Sequence, residues 1–339
     1  MNQERKDGQN LLSRKARKLL GRAYVAGVDP SVLHDVVNSA LMNVGLQERG
    51  QVVTRGDLRS VFDEDFQSRI AKGLDSGRTS LRGFDFSRRI PETSEIFTPT
   101  EARTYIDGCD YPESVDDLLL AAEVQKKFGL DGIRNMRILD AMCGPGRLGR
   151  EFLDLGAPSV VFHDGDVIMT DHAKDQASIF AEFGQSVAAV TSPVDRIPLP
   201  DSMFDLIVCH NSTHQLKSID RLHIVIQEFL RLAVPRGYVI IADYQRATTS
   251  EFLQSLEERL QYTRPEIVPL LIPSFMAAFS QAEFRGILKS IPDIKTWSVT
   301  DAKLPVLTPK LEERVKADPV RGHLMDYSPI SLRAIAQKQ

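Results

Sequence analysis

The chain has 339 residues, 42% hydrophobic and 26% charged, with a net charge of −4, which excludes a disordered or fibrous protein and any general attraction to nucleic acid. No apolar run approaches a membrane span and the opening residues 1–6 carry no signal-peptide core, so no membrane is expected and the expected compartment is the cytoplasm. Cys109, Cys143 and Cys209 lack metal spacing, and neither disulfides nor a metal site are expected.

Residues 1–97 read as a block of their own. Apolar residues fall at helical spacing in Leu11–Ala26 (Leu12, Ala16, Leu19, Leu20) and in Val32–Val44 (Val32, Val36, Ala40, Val44). Asp29, Pro30 and Ser31 form a good start for the second helix. Phe62–Leu74 is a third candidate, and Gly73–Pro91 reads as a connecting loop. Residues 5–22 hold Arg5, Lys6, Arg14, Lys15, Arg17, Lys18 and Arg22 against Asp7, which suits either a solvated helix face or an RNA-binding helix. Pro112–Phe128 is an amphipathic helix leading into the first strand.

The stretch 138–146 is the most informative. An apolar strand, Met136–Leu139, meets Asp140 and then a turn with Gly144 and Gly146 before the helical run Arg147–Leu155. Such a turn lets backbone approach a ligand closely and aims a helix N-terminus at it. Strand-like runs follow at Ser159–Asp164, Ser186–Thr191, Phe204–His210 and Tyr238–Ala242, with helical segments between them. That alternation predicts a parallel sheet with ligands at its carboxyl edge. Beyond Asp243, Thr248–Leu260 and Pro273–Leu288 read as helices separated by Pro265–Pro273. Lys295–Thr300 is a sixth strand, 302–329 an irregular excursion and Ile330–Ala336 the last strand.

These residues resemble the class I S-adenosylmethionine-dependent methyltransferases over about 120–300. Ile138–Gly146 is similar to their first motif, Asp164 to the acid that holds the ribose, and Val194 with Asp195 to the segment beside the adenine. Ile197–Asp205 is similar to their approach to strand four, and Val234–Gly237 to their turn before strand five. Two departures stand out. Met142 replaces the first glycine of the turn, although some nucleic-acid methyltransferases have a similar Met-Cys-Gly there. Cys209–Ser212 replaces the Asn/Asp-Pro-Pro-aromatic motif that holds a nucleobase nitrogen. Gly144, Gly146 and Gly149 also fit the G-x-G-x-x-G string of a NAD- or FAD-binding domain, but the mid-chain position and the later segments argue against it. Gly149 then reads as close helix–sheet packing.

The resemblance implies an α/β fold: a doubly wound, mostly parallel seven-stranded sheet of Rossmann-like type with an N-terminal helical addition. The implied division is 1–97 as a helical lid or substrate region and 98–339 as the S-adenosylmethionine-binding domain, with an insertion at about 245–290. The implied cofactor-binding residues are Asp140, Met142, Cys143, Gly144, Gly146, Asp164, Gly165, Val194, Asp195 and His210. Methyl transfer from a sulfonium needs a base only when the acceptor loses a proton. His214 and Tyr244 are the catalytic candidates, with His210 and Asp243 beside them, while His163 reads as structural. His323 and Tyr327 are placed near the pocket by topology alone. The leading function is methylation of a small-molecule acceptor at O, C or N. The alternatives are an RNA- or protein-directed enzyme tethered by the basic helix, and a cofactor-binding fold without catalysis. A homodimer is left open.

Overall fold

The computed structural model describes residues 86–92, 99, 102–103, 105–106, 115–261, 268–302 and 330–339. The helices expected at Leu11–Ala26, Val32–Val44 and Phe62–Leu74 lie outside the described residues, as do Cys109, His323, Tyr327 and nearly all of the 302–329 excursion.

Short β-rich runs set the sheet. β1 (Arg137–Ala141), β2 (Ser159–Asp164), β3 (Ser186–Thr191), β4 (Phe204–His210) and β5 (Ala233–Tyr244) pair in parallel. β6 (Ile294–Asp301) and β7 (Ser331–Lys338) complete seven strands in the order β3-β2-β1-β4-β5-β7-β6, with β7 antiparallel to both neighbours. The chain runs outward from β1 to β3 and then returns to start β4 on the other side of β1. That reversal opens a crevice at the carboxyl ends of β1 and β4, where an open α/β sheet receives its ligand.

Alternation along β4 separates two apolar layers. Ile207 and Cys209 face α5 (Ile219–Leu232) and α8 (Gln281–Ser290) through Val225, Phe229, Phe284 and Leu288. Leu206 and Val208 belong to the opposite cluster, with α1 (Val115–Phe128), α3 (Arg147–Asp154) and α4 (Val167–Glu182). The remaining helices are α2 (Leu130–Ile133), α6 (Ser250–Gln261) and α7 (Val268–Ala277). α2 is a single turn beyond the end of the helix expected at Pro112–Phe128.

Two boundaries differ from expectation. β5 begins at Ala233 rather than Tyr238, because Ala233 already pairs with Phe204 and an irregularity between Phe204 and Leu206 absorbs the Val234–Gly237 turn. The single helix expected over Pro273–Leu288 is two. Pro273 lies inside α7, and a break precedes α8, where Ser280 Oγ accepts from Glu283 N–H while the Glu283 carboxylate accepts from Ser280 N–H at 2.6 Å. This capping box restarts the helix.

The third glycine of G-P-G-R-L-G does pack helix on sheet. A Cβ on Gly149 would lie 2.2 Å from Phe162 Cε1 and 3.0 Å from Asp140 Oδ2. Overfilling such a contact costs roughly 1–3 kcal/mol, so chemical unfolding of Gly149→Ala should show that loss. An unfolding midpoint equal to the parent's would refute the packing role.

Candidate functional site

At the crevice the chain leaves β1 into a turn of left-handed residues. Met142 has φ 55°, Gly144 51° and Gly146 74°. The position where the sequence lacks a glycine is therefore still one that glycine favours, and Met142 adopts it at an energetic cost. The turn is pinned from beneath: Cys143 N–H donates to His163 O at 2.8 Å, and Ser212 Oγ lies 2.9 Å from Met142 O and 2.8 Å from His210 O.

The glycines divide their work. A Cβ on Gly144 would meet nothing within 4 Å, whereas one on Gly146 would lie 2.5 Å from Ala173 Cβ. Gly144 thus faces open space, and Gly146 serves the contact with α4. Asp164, at the end of β2, accepts from Gly144 N–H at 2.9 Å and from Asp166 N–H at 3.0 Å, and the adjacent Gly165 is exposed. Asp140 is buried and accepts from Gly149 N–H at 2.9 Å, so its carboxyl holds α3 rather than facing the crevice. Burial raises Asp140 well above the usual carboxylate range, and the nearby Asp117 and Asp164 carboxyls add to that. Val194 is buried beside β3, and Asp195 pairs with Arg221.

Two histidines follow β4, each locked to a carboxylate. His210 Nδ1 lies 2.6 Å from Asp117 Oδ1, and the other oxygen of Asp117 accepts from Arg147 Nε at 3.1 Å. His214 Nδ1 lies 2.7 Å from Asp243 Oδ1, while its Nε2 is 3.9 Å from Glu92 Oε1. Asp243 also accepts from Thr213 Oγ1, His214 N–H (2.9 Å) and Tyr244 N–H (2.7 Å). Burial disfavours a charged His214, but Asp243 and then Glu92 outweigh it and hold the imidazole above its ordinary value. Burial likewise pushes Asp243 up, yet His214 and Thr213 overcome it and leave the carboxyl below the usual range. The Tyr244 ring stands between His214 (5.3 Å) and Phe275 (4.4 Å). His163 is fully buried, and burial lowers it to about 4, in keeping with a structural role.

Residues 86–92 cross this region as a strap. Ile90 N–H donates to Met276 O at 3.0 Å, and Ser274 Oγ donates to Glu92 at 2.6 Å. Arg89 donates to Ala277 O (2.6 Å), Lys217 O (2.9 Å), His214 O (3.0 Å) and Leu216 O, and its guanidinium stacks 3.9 Å over the Phe279 ring. From the other side, Arg246 Nη1 donates to Phe86 O and Ser87 O at 3.1 and 2.9 Å. One cation thus ties the strap to the ends of α7 and of the short turn carrying His214.

Comparison with known proteins matches this architecture. A family described as a methyltransferase domain matches residues 138–237, which span β1 to the start of β5. Residues 138–237 carry a methyltransferase domain, in a fold shared with S-adenosylmethionine-dependent methyltransferases. S-adenosylmethionine is its methyl donor, and the NAD or FAD reading of the glycine string falls away. The plantazolicin methyltransferase BamL, solved with a triazolic desmethylPZN analog and SAH, is 15% identical, with a TM-score of 0.53 over 82% of this chain and 98% of its own. Its counterpart BpumL, with a monoazolic analog and SAH, is 12% identical, with a TM-score of 0.51 over 83% and 99%. A SAM-dependent methyltransferase from Aquifex aeolicus is 18% identical, with a TM-score of 0.47 over 72% and 100%. At these identities the likeness is one of fold. No curated protein matches the chain.

For this methyltransferase domain, the crevice gathers Met142, Cys143, Gly144, Asp164 and His210 around the β1–β4 edge, with Asp140 and Gly146 beneath them. His214 and Tyr244 lie further along, under the strap. Sequence reasoning missed Asp117, Arg147, Arg89 and Glu92. Asp117 carried a signal: it shares the buried stripe of α1 with Ala121 and Val124 at i, i+4, i+7, where an acid is out of place without a partner.

Proposed function

We propose that the protein methylates a small-molecule acceptor held between the β4–β5 edge and the strap of residues 86–92. The observation that carries this reading is the strap itself, fixed by Arg89, Arg246 and Ile90 across the His214 turn. An edge covered this closely suits a compact acceptor better than an RNA or a folded protein. Residues 1–97 would extend that cover, and 98–339 would form the catalytic domain with its insertion. The BamL and BpumL structures hold a desmethylPZN analog beside SAH, in keeping with a discrete organic acceptor.

The residues suit the cofactor. It supplies an electrophilic methyl on a cationic sulfur. Asp117 and Asp164 lie close enough to raise Asp140, and a cationic ligand relieves that repulsion. In this reading Gly144 gives the close approach, with Cys143 and the backbone of Met142 and His210 lining the same side. Asp164 and Gly165 hold the ribose, and Val194 with Asp195 flanks the base. Asp140 and Gly146 shape the turn from below. His214, clamped between Asp243 and Glu92, orients the acceptor together with Tyr244 rather than taking its proton. No helix among the described residues is long and apolar enough to cross a membrane. A cytoplasmic enzyme, free or as a homodimer, fits this reading.

Incubation with methyl-labelled S-adenosylmethionine and a cell extract divided by size tests it. Label is expected in the small-molecule fraction. Label confined to RNA or to protein would overturn the proposal.

A further inference from the structure

We propose that His210 takes the acceptor's proton and that Asp117 is its positioning residue, a pairing that rests on the methyltransferase reading above. The two histidines of the crevice are not equivalent. His214 has a carboxylate on each side, Asp243 hydrogen-bonded to Nδ1 at 2.7 Å and Glu92 3.9 Å from Nε2 as a charge contact, an arrangement that favours the imidazolium. A ring so held has no lone pair to offer. The His210 ring meets one carboxylate, at Nδ1, and makes no second side-chain hydrogen bond among the described residues. Asp117, paired with Arg147, accepts from Nδ1–H and thereby keeps the other nitrogen, Nε2, as the acceptor.

The backbone fixes where that nitrogen stands. His210 closes β4 and pairs with Ala242 of β5, on the face of the sheet that carries Leu206 and Val208. Directly after it, Asn211 turns with φ 48° and donates its N–H to Ala242 O at 2.8 Å. Ser212 Oγ then bridges His210 O and Met142 O, locking the histidine to the glycine turn. The ring therefore stands at the junction of β1 and β4, and a carboxylate–imidazole pair at such a junction is the arrangement general-base chemistry needs.

The step balances without any further reagent. Nε2 accepts the proton from the acceptor's X–H group, and the X–H electron pair forms the bond to the methyl carbon. The pair of the breaking C–S bond leaves with sulfur as a neutral thioether. The imidazolium formed at His210 is stabilised by Asp117 and gives its proton to solvent after the product leaves.

Three measurements on the full chain test this. Nitrogen-15 spectra of histidine-labelled protein, with the His210 signals assigned by their loss in His210→Gln, should show neutral His210 protonated at Nδ1. Asp117→Asn should weaken that preference. SAH titrated calorimetrically into His210→Gln should bind within about twofold of the parent, while labelled methyl entering the small-molecule extract should slow by about 100-fold or more. A neutral ring protonated at Nε2 overturns the proposal, and sequential resonance assignment of the wild type supplies the same reading if His210→Gln fails to fold. So does an undiminished rate in His210→Gln, or SAH affinity falling in step with the rate. Failure of the wild type to bind SAH would instead sink the methyltransferase reading.

Discussion

Asp243→Asn should cost about 3–5 kcal/mol of folding stability, the scale for breaking a buried, hydrogen-bonded ion pair from one side. Asp243 is 1% exposed and receives the His214 ring, the Thr213 hydroxyl and two backbone N–H groups. An amide can replace one oxygen but supplies neither the charge nor the second acceptor. The pH dependence follows from the two shifts. His214 is raised on folding, so its contribution is complete below the ordinary imidazole value and fades as pH rises through its folded one. Asp243 is depressed, so its contribution is complete above the ordinary carboxylate value and fades as pH falls through its folded one. The gap between parent and variant in chemical unfolding should therefore be widest between about pH 3.9 and 6.5, the unperturbed values. A gap that keeps growing above neutral pH would show that His214 is not held as the cation.

Gly146→Ala should be nearly as damaging, with an effect on binding as well. The residue has φ 74°, and its added Cβ would sit 2.5 Å from Ala173 Cβ and 3.0 Å from Ala173 Cα. The left-handed backbone costs a side chain roughly 1–2 kcal/mol. Forcing α4 away costs about 1–3 kcal/mol more. Because the turn and α4 move apart together, SAH affinity should fall alongside the unfolding midpoint. Gly144→Ala provides the contrast, since its Cβ meets nothing within 4 Å: it should keep near-parental stability, apart from backbone strain, and lose affinity. Equal behaviour of the two variants in both measurements would contradict the division of labour between these glycines.

The strand runs were legible because each is short, β-rich and followed by a turn, and Ser159–Asp164, Ser186–Thr191 and Phe204–His210 fall where the sequence placed them. Boundaries failed where a local device outweighed composition. The Ser280–Glu283 capping box restarts a helix inside an apolar run, and Pro273 marks no break, although a proline inside a helix usually does. In the site, Asp164, Gly144 and both histidines announced themselves by position after a strand. Their partners did not. Asp117 reaches His210 across 93 residues and Glu92 approaches His214 from a segment with no periodicity, so only folding brings them together. The Met142 substitution shows the converse: the turn keeps its left-handed geometry without the glycine, because contacts from β2 and Ser212 impose it.

The central claim is that the crevice at the carboxyl ends of β1 and β4 holds the cofactor, with Asp164 at the end of β2 on its ribose. Calorimetric titration of SAH into the parent and into Asp164→Ala tests it most directly, with circular dichroism confirming that the variant is folded. Binding by the parent, weakened in the variant by about 1.5–3 kcal/mol, is the predicted result, the scale of hydrogen bonds to a charged group. Unchanged affinity in a folded Asp164→Ala protein, or a parent that binds NADH and ignores SAH, would contradict it.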